Sequence, residues 1–299
     1  MTKAFELIDV VKIYPDFKLG PIDMSLEPGI VLGYIGPNGS GKTTTMHCLT
    51  GLVKVNSGEM RIFGRPNNPN KPAWKLDIGY VGDAHVFYER WTAAKNLKFL
   101  SQFYPGWSDE RAADLSRRFK LPLEKKAKDL SSGNRVKLSL VSALAHSPKL
   151  LLLDEPTSGL DPVVRAEVLD TLFEILEDGE RAIFYSTHIL SDISRLADEL
   201  VFLNEGHIMM RKGKDELIDS WRKITFRLAA TDVVLKSIVN HRKEGKDHQI
   251  ISSNCEETLA QLQEIGAENI QENRMTIDEI AVQILKSAEN KEGLHDPYN

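Results

Sequence analysis

Two short stretches hold residue types at spacings that could do chemistry. In "GPNGSGKTT", Gly36 to Thr44, the glycines Gly36, Gly39 and Gly41 alternate with Asn38 and Ser40 and lead into Lys42, Thr43 and Thr44. Glycines let a backbone curl until successive N–H groups point inward at one anion. A helix opening directly afterwards adds its unpaired amides and the positive end of its dipole. Lys42 supplies a mobile charge for the outer phosphates of a polyphosphate, and the Thr43 hydroxyl is placed to ligate Mg²⁺. The bland alternative is a chance glycine-rich turn. The apolar "GIVLGYIG" before it and the helical "TTTMHCLTGL" after it supply the strand–loop–helix context that the phosphate reading requires.

The second stretch is "LLLLDEPTSGLD", in which Leu150 to Leu153 run straight into Asp154 and Glu155. Four leucines belong where water is excluded, and two adjacent carboxylates do not. A Mg²⁺ ion with a bound triphosphate at the strand end resolves the conflict, because it makes that place attractive to negative charge. Asp154 would then hold the metal, and Glu155 would orient or deprotonate the water that attacks the terminal phosphate. An ordinary strand end followed by acidic helix-cap residues is the alternative. His188 closes the apolar run "RAIFYSTH". It lies beside the expected terminal-phosphate site and suits a sensor there, whereas His47, His85 and His146 read as structural.

The elements that must position these residues follow from periodicity. Residues 1 to about 30 alternate apolar and polar, as in "AFELIDVVKIY", which predicts one or two antiparallel strands. Between 84 and 147 the spacing turns helical, in "ERWTAAKNLKFLSQFY" and in "SDERAADLSRRF", where Ser108 opens an incomplete capping box with Arg111 in the acidic place. Then "KLLLLDE", "RAIFYSTH" and "LVFLNEGHIM" read as strands alternating with the helices "PVVRAEVLDTLFEIL" and "SDISRLADEL". That is the pattern of a parallel sheet covered on both faces. Beyond 215, "KITFRLAA" reads as a strand, "VVLKSIVN", "EETLAQLQEI" and "IDEIAVQILKS" as helices, "HRKEGKDHQ" as a solvated loop, and "NKEGLHDPYN" as a mobile tail.

Several motifs in order resemble the ATPase subunit of the ATP-binding cassette (ABC) family, over roughly residues 4 to 215. "LSSGNRVKLSL", Leu130 to Leu140, is similar to the family signature; "SGLD", Ser158 to Asp161, to the loop at the dimer interface; and "STHIL" to the segment bearing the switch histidine. The resemblance implies an α/β fold, a P-loop NTPase cassette of ABC type with an antiparallel β subdomain and a helical insertion. A small α+β C-terminal appendage at 216–299 would follow a cassette at 1–215. It also implies ATP and Mg²⁺ as ligands, Tyr14 stacked on adenine, and two cassettes enclosing nucleotide head to tail. The signature residues Ser131, Ser132, Gly133 and Asn134 of one cassette would then face the phosphates held by the other, with Ser158 and Asp161 at the interface.

Two departures from the family pattern stand out. Ser132 replaces the first glycine of the signature and Asn134 its glutamine, while Ser131 and Gly133, the residues expected to reach phosphate, are kept. In "DIGYVGDAHVFYERW", Asp83 stands where the family has a glutamine that contacts Mg²⁺. The expectation is that Asp83 remains a metal ligand; the alternative is a displaced loop residue. Phe87, Tyr88 and Trp91 behind it either line a groove for a membrane subunit or pack within the insertion. "EKKAKD", Glu124 to Asp129, reads as solvated surface.

Composition bounds the partners. The chain has 299 residues, net charge −5 from 43 acidic and 38 basic residues, and 41% hydrophobic content, which describes a globular protein with no basic footprint for nucleic acid. Its two cysteines, Cys48 and Cys255, have no metal-ligand spacing and point to a reducing compartment. No signal peptide opens the chain, and no apolar run reaches the ~18 residues of a membrane span. The expectation is a cytoplasmic ATPase subunit, peripheral on the inner face of the membrane, that drives separate membrane-spanning permease subunits with a second cassette, identical or different. A soluble ABC ATPase of another complex and a regulatory cassette with little turnover are the rivals. The absence of a second cassette and of a heptad tract favours the transporter.

Overall fold

The computed structural model describes residues 2–68, 70–82, 86–176, 181–194, 196–228 and 235–292. Two long antiparallel strands, β1 (Phe5–Tyr14) and β2 (Phe17–Leu26), precede β3 (Val31–Ile35) and α1 (Lys42–Leu49). After them come β4 (Ser57–Ile62), β5 (Arg65–Pro66), β6 (Ile78–Val81) and the helices α2 (Ala93–Leu100), α3 (Asp109–Arg118) and α4 (Ser132–Leu144). The chain continues through β7 (Leu150–Asp154), α5 (Pro162–Leu176), β8 (Ala182–Thr187), α6 (Leu190–Ile193), β9 (Glu199–Asn204) and β10 (His207–Gly213). The last part is α7 (Lys214–Ser220), β11 (Arg222–Arg227), β12 (Ile238–Glu244), β13 (Asp247–Ser252), α8 (Cys255–Glu264), β14 (Glu268–Arg274) and α9 (Ile277–Glu292).

These strands make three sheets among the described residues: β2-β1-β4-β5, the central β10-β9-β3-β8-β7-β6, and β12-β13-β11-β14. In the central sheet β3, β6, β7, β8 and β9 run parallel, and β10 returns antiparallel as an edge. The leucine run now has its reason. Leu150 and Leu152 point into a core shared with the antiparallel sheet and α1, while Leu151 and Leu153 point into a second core filled by α4 and α5. Both faces are dry, so apolar residues cannot alternate with polar ones, and each leucine contributes about 1.5–3 kcal/mol. All five residues of β7 are buried, Asp154 included.

The helices between β6 and β7 start where their caps dictate. The side chains of Thr92, Ser108 and Ser131 accept from the backbone N–H groups of Lys95, Arg111 and Asn134 at 3.1, 3.1 and 3.3 Å. Ser108 thus makes its half of the capping box without a glutamate opposite.

Several expected elements differ. "LVFLNEGHIM" is a hairpin of β9 and β10, not one strand: Asn204 pairs with His207, and Glu205 and Gly206 both have positive φ, 43° and 79°. That is the geometry of a two-residue hairpin loop. "SDISRLADEL" contributes only Ser191 to Ile193, the last three residues of α6, to a helix among those described. In "VVLKSIVN", Ile238 onward is strand rather than helix, and "HRKEGKDHQ" is the β12–β13 hairpin rather than a loop. The strand IVNHRKE is exposed along most of its length, so no apolar alternation marks it. The tail expected from Asn290 begins as the last turn of α9, and residues from 293 lie outside those described. The last helix returns to the central sheet: Ile280, Ala281 and Ile284 join the core that holds Leu200 and Phe202.

Candidate functional site

The glycine loop joins β3 to α1. Gly39 and Gly41 have φ of 82° and 109°, backbone regions that L side chains rarely adopt. A Cβ on Gly36 would sit 2.3 Å from the Leu203 carbonyl oxygen, and one on Gly41 2.8 Å from Leu19 Cδ1, so the loop can lie this close to β9 and β2 only without side chains there. Lys42 is the first residue of α1 and only 5% exposed. Its Nζ donates to the carbonyl oxygens of Gly36 and Pro37 at 2.8 and 3.0 Å, folding the side chain back over the loop. Above it opens a cleft of about 690 Å³ lined by Tyr14, Asn38, Gly39, Gly41, Lys42, Thr43, Thr44, Glu155 and Ser158. Ser40 does not line it: its Oγ is buried and has no hydrogen-bond partner.

Glu155 lines this cleft, and Asp154 precedes it at the buried end of β7. Asp154 is fully buried; Oδ1 accepts from Ser186 Oγ at 2.6 Å, and Oδ2 is buried without a partner. Burial pushes the Asp154 carboxyl above the ordinary carboxylate range, and the hydroxyls of Ser186 and Thr43 pull the other way. Glu155 turns the chain with φ of 48°, a conformation that costs a non-glycine residue of order 1–3 kcal/mol. Its backbone N–H donates to Ser186 O at 3.1 Å and faces Ser186 Oγ at 3.2 Å, which anchors the turn to β8. The side chain bridges Lys42 and His188: Oε1 lies 3.1 Å from Lys42 Nζ, and Oε2 lies 2.7 Å from His188 Nδ1. The Lys42 contact has ion-pair distance but not hydrogen-bond geometry, since Oε1 has no hydrogen-bond partner.

The other candidates fall at several places. Tyr14 lines the cleft, 38% exposed, with Lys12 Nζ 5.0 Å above its ring. Ser131 caps α4, Ser132 is exposed beside it, and Asn134 is half-buried. Gly133 is buried, and a Cβ there would meet Val164 Cγ1 at 2.5 Å. None of these four lines the cleft. Asp161 caps α5, its Oδ1 accepting from Val163 N and Val164 N at 3.2 and 3.1 Å. Asp83 and His85 lie outside the described residues. Phe87 packs against the larger core, whereas Tyr88 stacks on Trp91 at 4.3 Å in a cluster with Phe99, 52% exposed. His146 is buried and stacked on Tyr104 at 4.1 Å, and His47 lies edge-on to Tyr80.

Sequence reasoning missed Ser186, which orients both acids, and Phe17, whose ring lines the cleft near Gly41. A serine two residues before a strand-ending histidine carries no signal of its own. Only the pairing of Asp154 with Ser186 across β7 and β8 reveals it.

A family described as ABC transporter matches residues 19–158. The chain is 33% identical over 235 residues to the bacitracin transport ATP-binding protein BcrA of Bacillus licheniformis, covering 77% of this chain and 76% of that protein. A solved structure of the ATP-binding subunit of an ABC transporter superposes with a TM-score of 0.65 at 27% identity, over 72% of this chain and 92% of that one. The dimeric structure of MJ0796, a bacterial ABC transporter cassette, shares the fold with a TM-score of 0.64 at 24% identity, over 70% and 98%. With a third of its residues shared over three quarters of a transport ATP-binding protein, this chain belongs to the ABC transporter ATP-binding proteins and is a nucleotide-binding ATPase of transport.

Proposed function

We propose that the cleft holds MgATP and that Lys42, Glu155 and His188 carry out its hydrolysis. The observation that carries this is the chain of contacts Lys42–Glu155–His188, whose first two members line the cleft, beside a buried Asp154 oxygen without a hydrogen-bond partner. A carboxylate oxygen buried without a partner is costly unless a ligand meets it. Asp154 and the Thr43 hydroxyl are hard oxygen donors of the kind Mg²⁺ takes, and Asp83 is proposed as a third. The ion, when bound, neutralises phosphate charge.

The chain's own groups divide the remaining work. The amides around Gly36, Asn38, Gly39, Ser40 and Gly41 and the first turn of α1, with Thr43 and Thr44, bind the phosphates. Lys42 swings from the loop carbonyls to the outer oxygens. Glu155 accepts a proton from the attacking water, and its strained turn aims the carboxylate into the cleft. His188 donates to the terminal phosphate while its other ring nitrogen stays on Glu155. Tyr14 supports adenine.

Ser131, Ser132, Gly133 and Asn134 stand away from this cleft, which supports their acting on nucleotide held by a second cassette, with Ser158 and Asp161 between the two. Among the described residues no helix is long and apolar enough to cross a membrane, so the spans would come from separate permease chains. A groove of about 220 Å³ lined by Leu52, Trp74, Tyr80, Leu100 and Tyr104, with Leu52 62% exposed, suits an apolar segment of such a partner. A chain that serves such permeases would work at the inner face of the cell membrane.

Equilibrium binding of MgATP and phosphate release on the same samples of wild type and Lys42→Ala test the site. Binding and turnover in the wild type are expected, with binding weakened about 10–150-fold and turnover lost in the variant; an unchanged Kd in the variant would overturn it.

A further inference from the structure

His188 follows directly on β8, its side chain 38% exposed, and the helix after it has only four residues. A helix that short does not hold itself together. Yet Nδ1 must stay within reach of Glu155, a residue on a different loop. Asp192, four residues after His188 and 1% exposed, supplies the tether. Its Oδ1 accepts from Arg165 Nε at 2.6 Å and also from Nη2 of the same guanidinium. Its Oδ2 accepts from Thr157 Oγ1 at 2.5 Å. Arg165 Nη2 reaches on to Ser191 Oγ at 2.9 Å. Thr157, two residues after Glu155, is 2% exposed and sits 3.3 Å from the hydroxyl of Tyr185, three residues before His188.

The two loops that carry Glu155 and His188 are therefore joined a second time behind the site, through a buried carboxylate saturated by a hydroxyl and a guanidinium. A buried carboxylate keeps its place only with its donors, and a guanidinium engaged through Nε and Nη2 fixes orientation as well as distance. We infer that Thr157, Asp192 and Arg165 are positioning residues that hold the His188 turn against Glu155, so that the two groups stay in register when the cleft fills. The inference rests on the roles given to Glu155 and His188 above. A buried ion pair that serves stability alone is the competing account, and a double-mutant cycle with His188 separates the two.

The decisive variants are Thr157→Val, which keeps the shape but removes the donor, Thr157→Ser, which keeps the hydroxyl, and Asp192→Asn. In the full chain, Thr157→Val and Asp192→Asn should lower kcat about 10–100-fold, as expected for a misplaced reacting group, with the Kd for MgATP changed less than about twofold. Thr157→Ser should restore wild-type kcat. Single-turnover hydrolysis of radiolabelled ATP with enzyme in excess should show that Thr157→Val changes the rate less than about twofold once His188 is alanine, because the network then has nothing left to position. Wild-type kcat in folded Thr157→Val, or the same fold loss with and without His188, would overturn the inference. Should Asp192→Asn not fold, Thr157→Val decides alone, since it changes no charge. A His188→Ala chain as fast as wild type would overturn the role of His188 itself, and this inference with it. A slow His188→Ala beside a fully active Thr157→Val overturns only the network.

Discussion

Lys42 Nζ lies 3.1 Å from Glu155 Oε1, so the cation that would meet the phosphates is held by the carboxylate that would activate water. On the proposed mechanism, nucleotide would draw Lys42 away from Glu155 and so free the carboxylate to act as a base. Glu155→Gln removes the charge but not the shape. MgATP should bind as tightly as to wild type or more so, while kcat falls about 10²–10⁴-fold, the usual contribution of a positioned general base. Phosphate release and equilibrium binding on one preparation check both halves; robust turnover by the variant would refute the base assignment.

Lys42 is nearly buried and also holds the loop carbonyls of Gly36 and Pro37. Lys42→Ala should weaken MgATP binding by about 1.5–3 kcal/mol, the value of a hydrogen bond to a charged group, which is about 10–150-fold in Kd. Titration with a fluorescent ATP analogue measures it.

Asp154 gives a pH signature with a definite sign. Burial raises its carboxyl above the ordinary value, so the native state without nucleotide binds this proton more tightly than the unfolded chain does. Stability from this group is therefore fully present below the ordinary carboxylate value and is lost as pH rises from there through the raised native one. Asp154→Asn, which mimics the protonated acid, should raise the Tm of the nucleotide-free protein at pH 8 and do so less near pH 4. The same substitution should abolish the extra Tm that MgATP confers on wild type. Thermal melts at the two pH values, with and without MgATP, give all four numbers; an unchanged MgATP shift would remove Asp154 from the metal site.

Asp83 stands where a neutral amide is expected, and a carboxylate there adds charge to the metal's surroundings. Asp83→Asn should raise the Mg²⁺ concentration for half-maximal ATPase activity on the order of tenfold, the lower range for lost metal-site partners. A superimposable Mg²⁺ titration would return Asp83 to the loop as a bystander.

Gly133 is packed against Val164, and a Cβ would come within 2.5 Å of it. Gly133→Ala should destabilise the fold by about 1–3 kcal/mol through overpacking. On the proposed action of the signature in trans, kcat should also fall at least about tenfold while the Kd of dilute protein for MgATP stays within about twofold. Weakened binding by the isolated chain would contradict action in trans.

Much of the site was legible because local constraint wrote it. The positive φ of Gly39 and Gly41 and the close packing of Gly36 allow hardly any other residue, and four leucines ending in two acids state a buried strand with a charged end. Where both faces of an element are wet, the signal vanishes. IVNHRKE reads as a helix end running into a solvated loop rather than as a strand, and Glu205-Gly206 lacks the asparagine that usually announces a hairpin. "SDISRLADEL" has helical spacing, yet only its Ser191 to Ile193 are helical among the described residues; Asp192 there is engaged by Thr157 and Arg165 rather than facing solvent.

By itself the order of amino acids determined where a polyphosphate would be gripped and which acids would sit beside it, because glycine's freedom and the period of burial act over neighbours a few positions apart. Only the tertiary structure decided what holds those acids in place. Ser186 reaches Asp154 across 32 positions and Asp192 reaches Thr157 across 35, through the parallel pairing of β7 with β8 and the turn beyond it. A crossover connection sets that register, and no local pattern encodes which hydroxyl will arrive opposite which carboxylate.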